Sequence, residues 1–359
     1  MKAKCRTVVI ALAMIVVAGL CVLFVMRRSP GLYRVTILPS LEGGGMAALG
    51  INDSGQVVGV MQMKHGPSHF FLWDHRQGMQ DLGYAYAPYF INNAGQIAGT
   101  ILDPNGHRQA ALWEPGVGWM PLGTLGGASG YPGGINDRGQ VVGTAQVTNG
   151  RPHAFLWDKN GGMRDLGTLG GRDSEAHAIN DAGEVFGLAD TPFAENQPFV
   201  WDPNAGMTAA GPLPPDTRLN GLNNHSWTVG AAENLQPNRR MILWSRTVGV
   251  RDLFPLDWPI YESVLLNDAN QVVFREVPEV RPRLFAEHTR AYLWDPQRGK
   301  ILLDAHLPLK RRESFRPADI NNKGSIVGNL ESVESMESGE KLIRQRAVLL
   351  EPIPERWGK

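Results

Sequence analysis

The chain has 359 residues, 35 basic and 35 acidic side chains, 43% hydrophobic residues, 42 glycines, 25 prolines and two cysteines. Its ordinary hydrophobic content, low density of charge and lack of a Gly-X-Y or heptad register exclude collagen, a coiled coil and a largely disordered chain. Frequent Gly and Pro indicate many tight turns between short strands, so the composition predicts an all-β protein.

The N-terminal segment differs from the rest of the chain. Residues 7–26 are 20 uncharged, mostly apolar residues, and a helix of this length matches the hydrocarbon thickness of a bilayer. We therefore expect residues 1–28 to hold one transmembrane helix that anchors the protein, with a cleaved signal peptide as the alternative. Lys2, Lys4 and Arg6 precede the run, which favours a cytoplasmic N-terminus. The remaining chain would be periplasmic or extracellular, or secreted if the leader is cleaved.

The exported part of the chain has no thiol, because Cys5 and Cys21 both lie in the leader. Disulfides and thiolate metal sites are therefore excluded from residues 29–359, and we expect neither a metal nor another cofactor. Five of the 35 basic residues and none of the acidic ones fall in residues 1–28, which leaves the exported part with a net charge of about −5. A nucleic acid is therefore not an expected partner.

An internal repeat dominates residues 29–351. Seven Ile/Leu-Asn-Asp/Asn tripeptides follow one another at intervals of 40, 44, 44, 43, 44 and 54 residues, and six tryptophans recur behind them. The repeat asparagines are Asn52, Asn92, Asn136, Asn180, Asn223, Asn267 and Asn321, and the tryptophans are Trp73, Trp113, Trp157, Trp201, Trp244 and Trp294. The copies begin near residues 48, 88, 132, 176, 219, 263 and 317. Two markers in step over seven copies indicate one repeated supersecondary unit.

Each unit predicts four short strands, which we letter a to d. In the third copy, strand a ends at Ile135, and strands b, c and d cover residues 139–143, 153–157 and 163–166. The a–b hairpin needs a positive φ at its last position, which is Gly in five copies, Asn270 in one and Ser226, the exception, in another. The c–d connection is a second tight, Gly-containing turn.

Seven four-stranded units close naturally into a seven-bladed β-propeller over residues 29–351. The seventh copy ends after its c strand near Leu350 and lacks a d strand, while an extra strand, Tyr33–Leu38, precedes the first copy. We expect this N-terminal strand to complete the last blade, with residues 352–359 as a C-terminal tail. A linear solenoid would need polar capping repeats, which the chain lacks.

The third copy carries the motifs of a known family. His153-Ala154-Phe155 precedes Leu156-Trp157-Asp158, and Asp165-Leu166-Gly167-Thr168-Leu169-Gly170-Gly171 follows. In these motifs the chain resembles the extracellular HAF-repeat family of bacteria over about residues 31–351. Copies five to seven depart from the pattern, with Arg240, Arg290 and Arg346 at the histidine position. The resemblance implies a propeller-like repeat fold and export, and no particular activity.

The repeat residues themselves have structural explanations. The tryptophans, and the aromatic residues two positions before four of them, share one face of strand c and are expected to pack between blades. The repeat asparagines are expected to hydrogen-bond the turn backbone. The face that bears the a–b and c–d turns is nearly uniform between copies, and we call it the uniform face.

The opposite face carries the b–c and d–a connections, and we call it the loop-rich face. Insertions at residues 275–289, 305–318 and 329–345 all emerge there, so it is the candidate binding surface. The candidate ligand-binding aromatic residues are Tyr84, Tyr86, Tyr89, Tyr131, Trp258 and Tyr261. The candidate basic residues are Arg239, Arg240, Arg281, Arg283, Lys310, Arg311 and Arg312. The alternative is that these tyrosines wedge between blades and the loops are merely solvated.

Two functions remain open. The first is a membrane-anchored, exported, non-catalytic scaffold that binds a protein or a glycan through the loop-rich face. The second is a propeller hydrolase or lyase that acts on cell-surface polysaccharide, with Asp173, Glu175, His177 and Asp216 as the loop residues available for acid and base catalysis. Neither ligand identity nor oligomeric state can be predicted from these patterns.

Overall fold

The computed structural model describes residues 16–17, 20–21, 31–41, 44–84, 87–214, 217–232, 239–256, 264–276, 289–310, 313–335 and 341–357. Most of the apolar run at residues 7–26 lies outside them. The four described residues of the run form two short antiparallel strands, Val16–Val17 (β1) and Leu20–Cys21 (β2).

These four residues are not the helix that the sequence predicts. In the part of the chain that the structure describes, no helix combines the length and the apolar character needed to cross a bilayer.

Seven antiparallel sheets of four strands follow, and we number them blades 1–7 in chain order. The strands, each blade in the order a to d, are Met46–Ile51, Val57–Met61, His69–Asp74 and Gly78–Gly83 (β4–β7, blade 1); Ala87–Ile91, Ile97–Leu102, Arg108–Glu114 and Gly118–Pro121 (β8–β11, blade 2); Gly126–Ile135, Val141–Val147, Pro152–Asp158 and Gly162–Asp165 (β12–β15, blade 3); Ser174–Ile179, Val185–Ala189, Gln197–Asp202 and Gly206–Ala209 (β16–β19, blade 4); Thr217–Asn220, Thr228–Ala232, Arg240–Ser245 and Gly249–Pro255 (β20–β23, blade 5); Leu265–Leu266, Val272–Glu276, Arg290–Asp295 and Gly299–Leu302 (β24–β27, blade 6); and Glu313–Ile320, Ile326–Ser335, Lys341–Pro352 and Tyr33–Ile37 (β28–β30 and β3, blade 7). The chain is thus an all-β, seven-bladed β-propeller, as the repeat predicts.

Short turns set the spacing of these strands. The last residue of every a–b turn has a positive φ, including Ser226 at 60° and Asn270 at 56°. The turn predicted from the glycine pattern is therefore confirmed, and Ser226 adopts the same backbone although it is an unusual occupant. The described helices are a 3₁₀ turn at Leu303–His306 and a short α-helix, α1, at Pro354–Trp357.

The hydrophobic core is divided between the blades. Seven buried clusters lie one at each junction between neighbouring blades. In the cluster between blades 2 and 3, Leu112 packs with Phe155 and Trp157. In the next cluster, Leu156 packs with Phe199 and Trp201. The repeat aromatic residues therefore pack between blades, as expected, and each blade depends on both of its neighbours.

A glycine in strand b brings strands a and b unusually close. A Cβ atom at Gly143 would lie 2.2 Å from the carbonyl oxygen of Tyr131 and 2.9 Å from the Phe155 ring. A Cβ atom at Gly187 would lie 2.0 Å from the carbonyl oxygen of Glu175. These glycines leave space for the aromatic residue of strand c and fix the backbone of strand a at Tyr131 and Glu175.

The N-terminal strand completes the last blade, which confirms the predicted closure. β3 pairs with β30, and Tyr33 is 5% exposed in the cluster between blades 6 and 7. The C-terminal tail covers the same strand, because the indole of Trp357 donates to the carbonyl of Leu32 and its ring meets Tyr33 edge to face at 5.5 Å. Both ends of the described propeller thus meet at blade 7.

Side chains also join blade 7 to blade 1. The amide of Asn329, which is buried in β29, accepts a hydrogen bond from the N–H of Ala48 at 2.8 Å and donates to its carbonyl at 3.1 Å. The Asp319 carboxylate accepts from the N–H of Ile51 at 2.9 Å. Asp319 occupies a position that other copies fill with Gly, Ala, Leu or Phe. The junction where the ring closes therefore has hydrogen bonds of its own.

The insertion in blade 7 is a hairpin extension rather than a free loop. β29 and β30 pair from Ile326↔Leu350 as far as Ser335↔Lys341, well beyond the strands of other blades. The predicted b–c insertion at residues 329–345 is therefore mostly regular sheet.

Closure by β3 gives a direct stability test. Tyr33→Ala removes a ring buried against blades 6 and 7, so it should lower the free energy of unfolding by about 3 kcal/mol. The control is Arg34→Ala, an exposed residue of the same strand, which should change the stability by less than about 0.5 kcal/mol. Urea unfolding measures both variants. Equal midpoints would show that β3 does not hold the ring closed.

Candidate functional site

A closed ring of amide side chains lies at the axis on the uniform face. The side chain of each repeat asparagine donates to the carbonyl of the repeat asparagine in the next blade, at 2.9–3.3 Å. The last of these bonds runs from Asn321 to Asn52 and closes the ring. The side-chain oxygen caps its own turn, as where Asn136 accepts from the N–H of Gln140. The predicted turn role is confirmed, and the contact between blades is an additional role that the sequence analysis missed.

A second ring surrounds the first. Its members are the residues that follow the repeat asparagines: Asp53, Asn93, Asp137, Asp181, Asn224, Asp268 and Asn322. The backbone N–H of each donates to the side-chain oxygen of the next member at 2.8–2.9 Å. Asn93 and Asn224 also donate their side-chain amides to the carboxylates on both sides. Asp and Asn both fit here, because each presents an acceptor oxygen at the same distance from the backbone.

Polar side chains continue this network outward across a blade. The side chain of Asn92 donates to Gln96, and Gln96 donates to Glu114 at the c–d turn. Asn267, Gln271 and Asp295 repeat the chain in blade 6. At the same turn in blade 1, hydrogen bonds to the Asp74 carboxylate, chiefly from the N–H of Gln77, hold the pKa of Asp74 below its usual range. Much of the polar surface of the uniform face is therefore engaged in internal hydrogen bonds.

The two rings enclose an axial cavity of about 220 Å³, lined by the seven Ile/Leu-Asn-Asp/Asn tripeptides. The inner a strands therefore converge at this axis. Four of the fourteen ring side chains are carboxylates, and their oxygens accept hydrogen bonds within the ring. Within the described residues, no group of three or more His, Cys, Asp or Glu side chains is arranged to hold a metal ion.

An acidic side chain lies beside this cavity at the closing junction. The pKa of Asp319 is raised from 3.8 to about 7, chiefly by burial and to a smaller extent by the charge of Asp53, against the lowering effect of the N–H groups of Ile51 and Ile320. No repeat pattern indicates this residue, because the other six copies have uncharged residues here. Because Asp319 joins blades 7 and 1, we expect the stability of the closed ring to depend on pH.

The loop-rich end of the inner strands carries a different set of side chains. Tyr89 in β8 is 37% exposed, and Tyr131 in β12 is 45% exposed. Burial raises the pKa of Tyr131, and the charge of Glu175 raises it further. His177 lies 3.4 Å from the Glu175 carboxylate. We name Tyr89, Tyr131, Glu175 and His177 the inner-strand cluster.

The inner-strand cluster lies away from the asparagine ring. Its members precede their repeat asparagines by three to five residues, which places them roughly 10–16 Å along the strand toward the loop-rich end. Their residue type and position along the repeat predict that Tyr89 and Tyr131 lie in loops between strands d and a. That prediction is wrong, because the a strands β8 and β12 extend through them. Aromatic rings held by regular sheet present fixed surfaces to a ligand.

A second cavity, of about 200 Å³, opens on the loop-rich face beside blades 3 and 4. Arg151, Asp173 and Asp190 contribute from three different connections, and Glu175 contributes from β16. Arg151 pairs with Asp173 at 3.3 Å. Asp173, Glu175 and His177 thus lie in one region, whereas Asp216, the fourth residue proposed for catalysis, lies outside the described residues.

The other predicted site residues are dispersed. Tyr84 is exposed between β7 and β8, and Lys310 is exposed ahead of β28. Arg239 is half-buried beside the start of β22, where its carbonyl accepts from the N–H of Leu256. The following predicted residues lie outside the described part of the chain: Tyr86, Trp258, Tyr261, Arg281, Arg283, Arg311 and Arg312.

Arg240 is engaged in an internal ion pair. It lies in strand c, and its guanidinium lies 3.0 Å from Asp252 in strand d. His153 and Asp165 form the same pair in blade 3 at 2.9 Å. In blades 1, 3 and 5 the histidine position is therefore a structural link between strands c and d, and Arg240 keeps the pairing that histidine makes in the other two. In blade 7, Arg346 pairs instead with Glu313 of strand a.

The fold and these sites define the chain as a closed β-propeller with a structural uniform face and a loop-rich face that bears aromatic and charged side chains. No model of a known protein family matches it. No curated protein matches its sequence significantly.

Solved propeller structures do match the fold. A prolyl endopeptidase matches with a TM-score of 0.57 at 9% identity, over 88% of this chain and 50% of that chain. The β-propeller domain of the Trilobed protease from Pyrococcus furiosus, described as having an open velcro topology, matches with a TM-score of 0.57 at 8% identity, over 84% and 95%. TolB from Acinetobacter baumannii matches with a TM-score of 0.46 at 16% identity, over 73% and 64%. The chain therefore spans half of the prolyl endopeptidase and less than two thirds of TolB. The likenesses to the prolyl endopeptidase and the Trilobed protease domain, both at 9% identity or less, establish the fold alone.

The raised pKa of Asp319 gives a pH test. Between pH 3.8 and about 7 the folded state holds a proton that the unfolded state has lost, so this contribution to stability is complete at lower pH and disappears as the pH rises toward 7. Asp319→Asn should reduce the fall in unfolding free energy over this range, by up to about 1.4 kcal/mol per pH unit.

The matched control is Asp137→Asn, because three copies have Asn at the equivalent position. Burial also raises the pKa of Asp304, to about 6. Because Asp304 is present in all three chains, its contribution to the pH dependence cancels when they are compared. Urea unfolding at a series of pH values measures the three chains. Parallel curves for the wild type and Asp319→Asn would contradict the assignment.

Proposed function

We propose that this chain is an exported, membrane-anchored β-propeller that acts as a non-catalytic scaffold and binds a protein or a glycan through its loop-rich face. The observation that carries the proposal is the inner-strand cluster, in which two exposed tyrosines lie beside a carboxylate. Tyrosine offers a broad apolar ring and a polar tip, which suits both sugar and protein contacts.

The difference between the two faces supports this choice of surface. On the uniform face, the polar groups of the asparagine ring and of the ring around it form hydrogen bonds with neighbouring members of the same ring. A ligand there would compete with hydrogen bonds that join the blades. On the loop-rich face, connections that vary from copy to copy rise from strands whose backbones are fixed by close packing, the usual arrangement of a binding surface on a rigid scaffold.

The binding role is tested with the purified full chain on a glycan array and in pull-downs from cell-envelope extract. The double variant Tyr89→Ala/Tyr131→Ala should bind a retained ligand at least about tenfold more weakly than the wild type, because exposed aromatic residues at the centre of a site carry much of the binding energy. Val117→Ala, an exposed apolar residue at a c–d turn, is the control and should bind normally. Equal binding by wild type and double variant would contradict binding through the inner-strand cluster.

A hydrolase or lyase acting on cell-surface polysaccharide is the second candidate, and one observation favours it. Asp173, Glu175 and His177 share the region of the second cavity, and paired carboxylates are the usual catalytic groups for glycosidic bonds. The same purified chain should therefore be incubated with envelope polysaccharides. Release of new chain ends by the wild type and not by Glu175→Gln would replace the scaffold role with catalysis.

The membrane anchor rests on the sequence. Residues 7–26 carry no charge. Three basic residues and the α-amine precede them and two basic residues follow, an excess that favours a cytoplasmic N-terminus with the propeller outside the cytoplasm. The resemblance to extracellular HAF-repeat proteins supports the same location. A tethered propeller would present its ligand-binding face near the cell surface.

Cell fractionation tests the anchor. The full chain should sediment with membranes and resist alkaline carbonate extraction, because a bilayer-spanning helix is effectively irreversibly inserted. A variant in which Val16 and Val17 are both replaced by Arg should lose this resistance, since charge at the centre of a spanning helix is costly. Recovery of the wild-type chain in the soluble fraction would contradict the anchor.

A further inference from the structure

One connection on the loop-rich face holds an aromatic ring fully in solvent. Phe193, between β17 and β18 of blade 4, is 97% exposed, the highest value among the large apolar side chains that the structure describes. A single exposed apolar residue is ordinary on a protein surface. Phe193 differs because the segment that carries it is held by hydrogen bonds and adjoins a cavity.

Hydrogen bonds fix this connection in one shape. The hydroxyl of Thr191 accepts from the N–H groups of Phe193 at 3.2 Å and Ala194 at 2.9 Å, and the N–H of Thr191 donates to the carbonyl of Ala194 at 2.8 Å. The carboxylate of Asp190 accepts from the N–H of Asn196 at 3.0 Å. Little conformational freedom remains to be lost when Phe193 is buried by a partner, which favours binding.

Asp190 and Glu195, on either side of Phe193 in the same connection, line a cavity with an excess of negative charge. It is the 200 Å³ cavity on the loop-rich face, and four carboxylates and two guanidinium groups line it. Arg151 is paired with Asp173, and Arg172 is the second cation. Glu195, which follows Phe193 by two residues, is exposed at its rim. A partner that covers Phe193 therefore meets a surface that attracts basic groups.

We propose that Phe193 and this acidic cavity form a docking site for a protein segment that presents an apolar surface next to Lys or Arg side chains. The apolar surface of the segment covers the ring, and a basic side chain enters the cavity. This inference rests on the proposed scaffold function and specifies its partner as a basic, apolar protein segment. An anionic membrane fits less well, because the surplus of carboxylates repels it.

The test uses a random peptide library displayed on phage and selected on the purified full chain. Enriched sequences should combine apolar residues with Lys or Arg. Fluorescence anisotropy of a synthetic enriched peptide should show binding at least tenfold weaker to Phe193→Ala and to Glu195→Lys. Binding should also weaken with added salt. Val248→Ala, an exposed apolar residue at the c–d turn of blade 5, is the matched control and should bind like the wild type.

Other occupants are outcomes that overturn the proposal. In the absence of peptide binding, three results that are lost in Phe193→Ala would identify another occupant. They are binding to vesicles of phosphatidylcholine and phosphatidylglycerol, self-association in sedimentation, and glycan binding. Failure to enrich any peptide that depends on Phe193 also overturns it. Peptides lost only in Tyr89→Ala/Tyr131→Ala would overturn this docking site and keep the scaffold function, and peptides retained by both variants would count against both.

Discussion

The fold depends on hydrogen bonds between identical turns around one axis. A four-stranded blade has two apolar faces, and each is buried only when a neighbour covers it. The ring must therefore close. The side-chain amide of each repeat asparagine donates one hydrogen bond to the next blade, and the last of these runs from Asn321 to the carbonyl of Asn52. Asparagine suits this task because its side chain can cap its own turn and donate to the neighbouring turn at the same time.

Closure makes blade 7 unlike the others. Its outer strand comes from the N-terminal end of the propeller and its third strand from the C-terminal end, so sheet pairing joins residues about 310 positions apart in sequence. The extra bonds of Asn329 and Asp319 lie at this junction and have no counterpart in the repeat. Residues that break the repeat at a closing junction therefore have a structural explanation, and departures on the loop-rich face remain available for function.

Much of the fold could be predicted from sequence because the same markers of strands and turns recur in seven copies. The Asn spacing gave the number of blades, the missing d strand indicated the closure by Tyr33–Ile37, and the Gly, Asn and Ser positions identified the turns with positive φ. The site was less accessible. The residue type of Tyr89 and Tyr131 and their place between strands d and a predict loop residues, whereas both lie in strands because each a strand extends further than the pattern indicates.

Other features of the site have no sequence pattern, or only a weak one, from which they could be predicted. The bonds between blades need three-dimensional proximity of residues about 44 positions apart, although the recurring Asp or Asn after each repeat asparagine was a usable signal. Phe193 is one aromatic residue in a polar connection, and its exposure follows from the hydrogen bonds of Thr191 rather than from any periodicity. Arg240 was selected as a basic loop residue, whereas its partner Asp252 becomes visible only in the paired strands.

The most direct test of closure by the asparagine ring is the stability of asparagine-to-aspartate variants in that ring. Asn136→Asp and Asn321→Asp keep the shape of the side chain but remove the donor to the next blade. At neutral pH each should lower the free energy of unfolding by roughly 1–3 kcal/mol, because a buried carbonyl loses its partner and faces a carboxylate. Asn160→Asp, in an exposed c–d turn, is the control and should have little effect. Ring variants as stable as this control would contradict the claim that amide hydrogen bonds between blades hold the propeller closed.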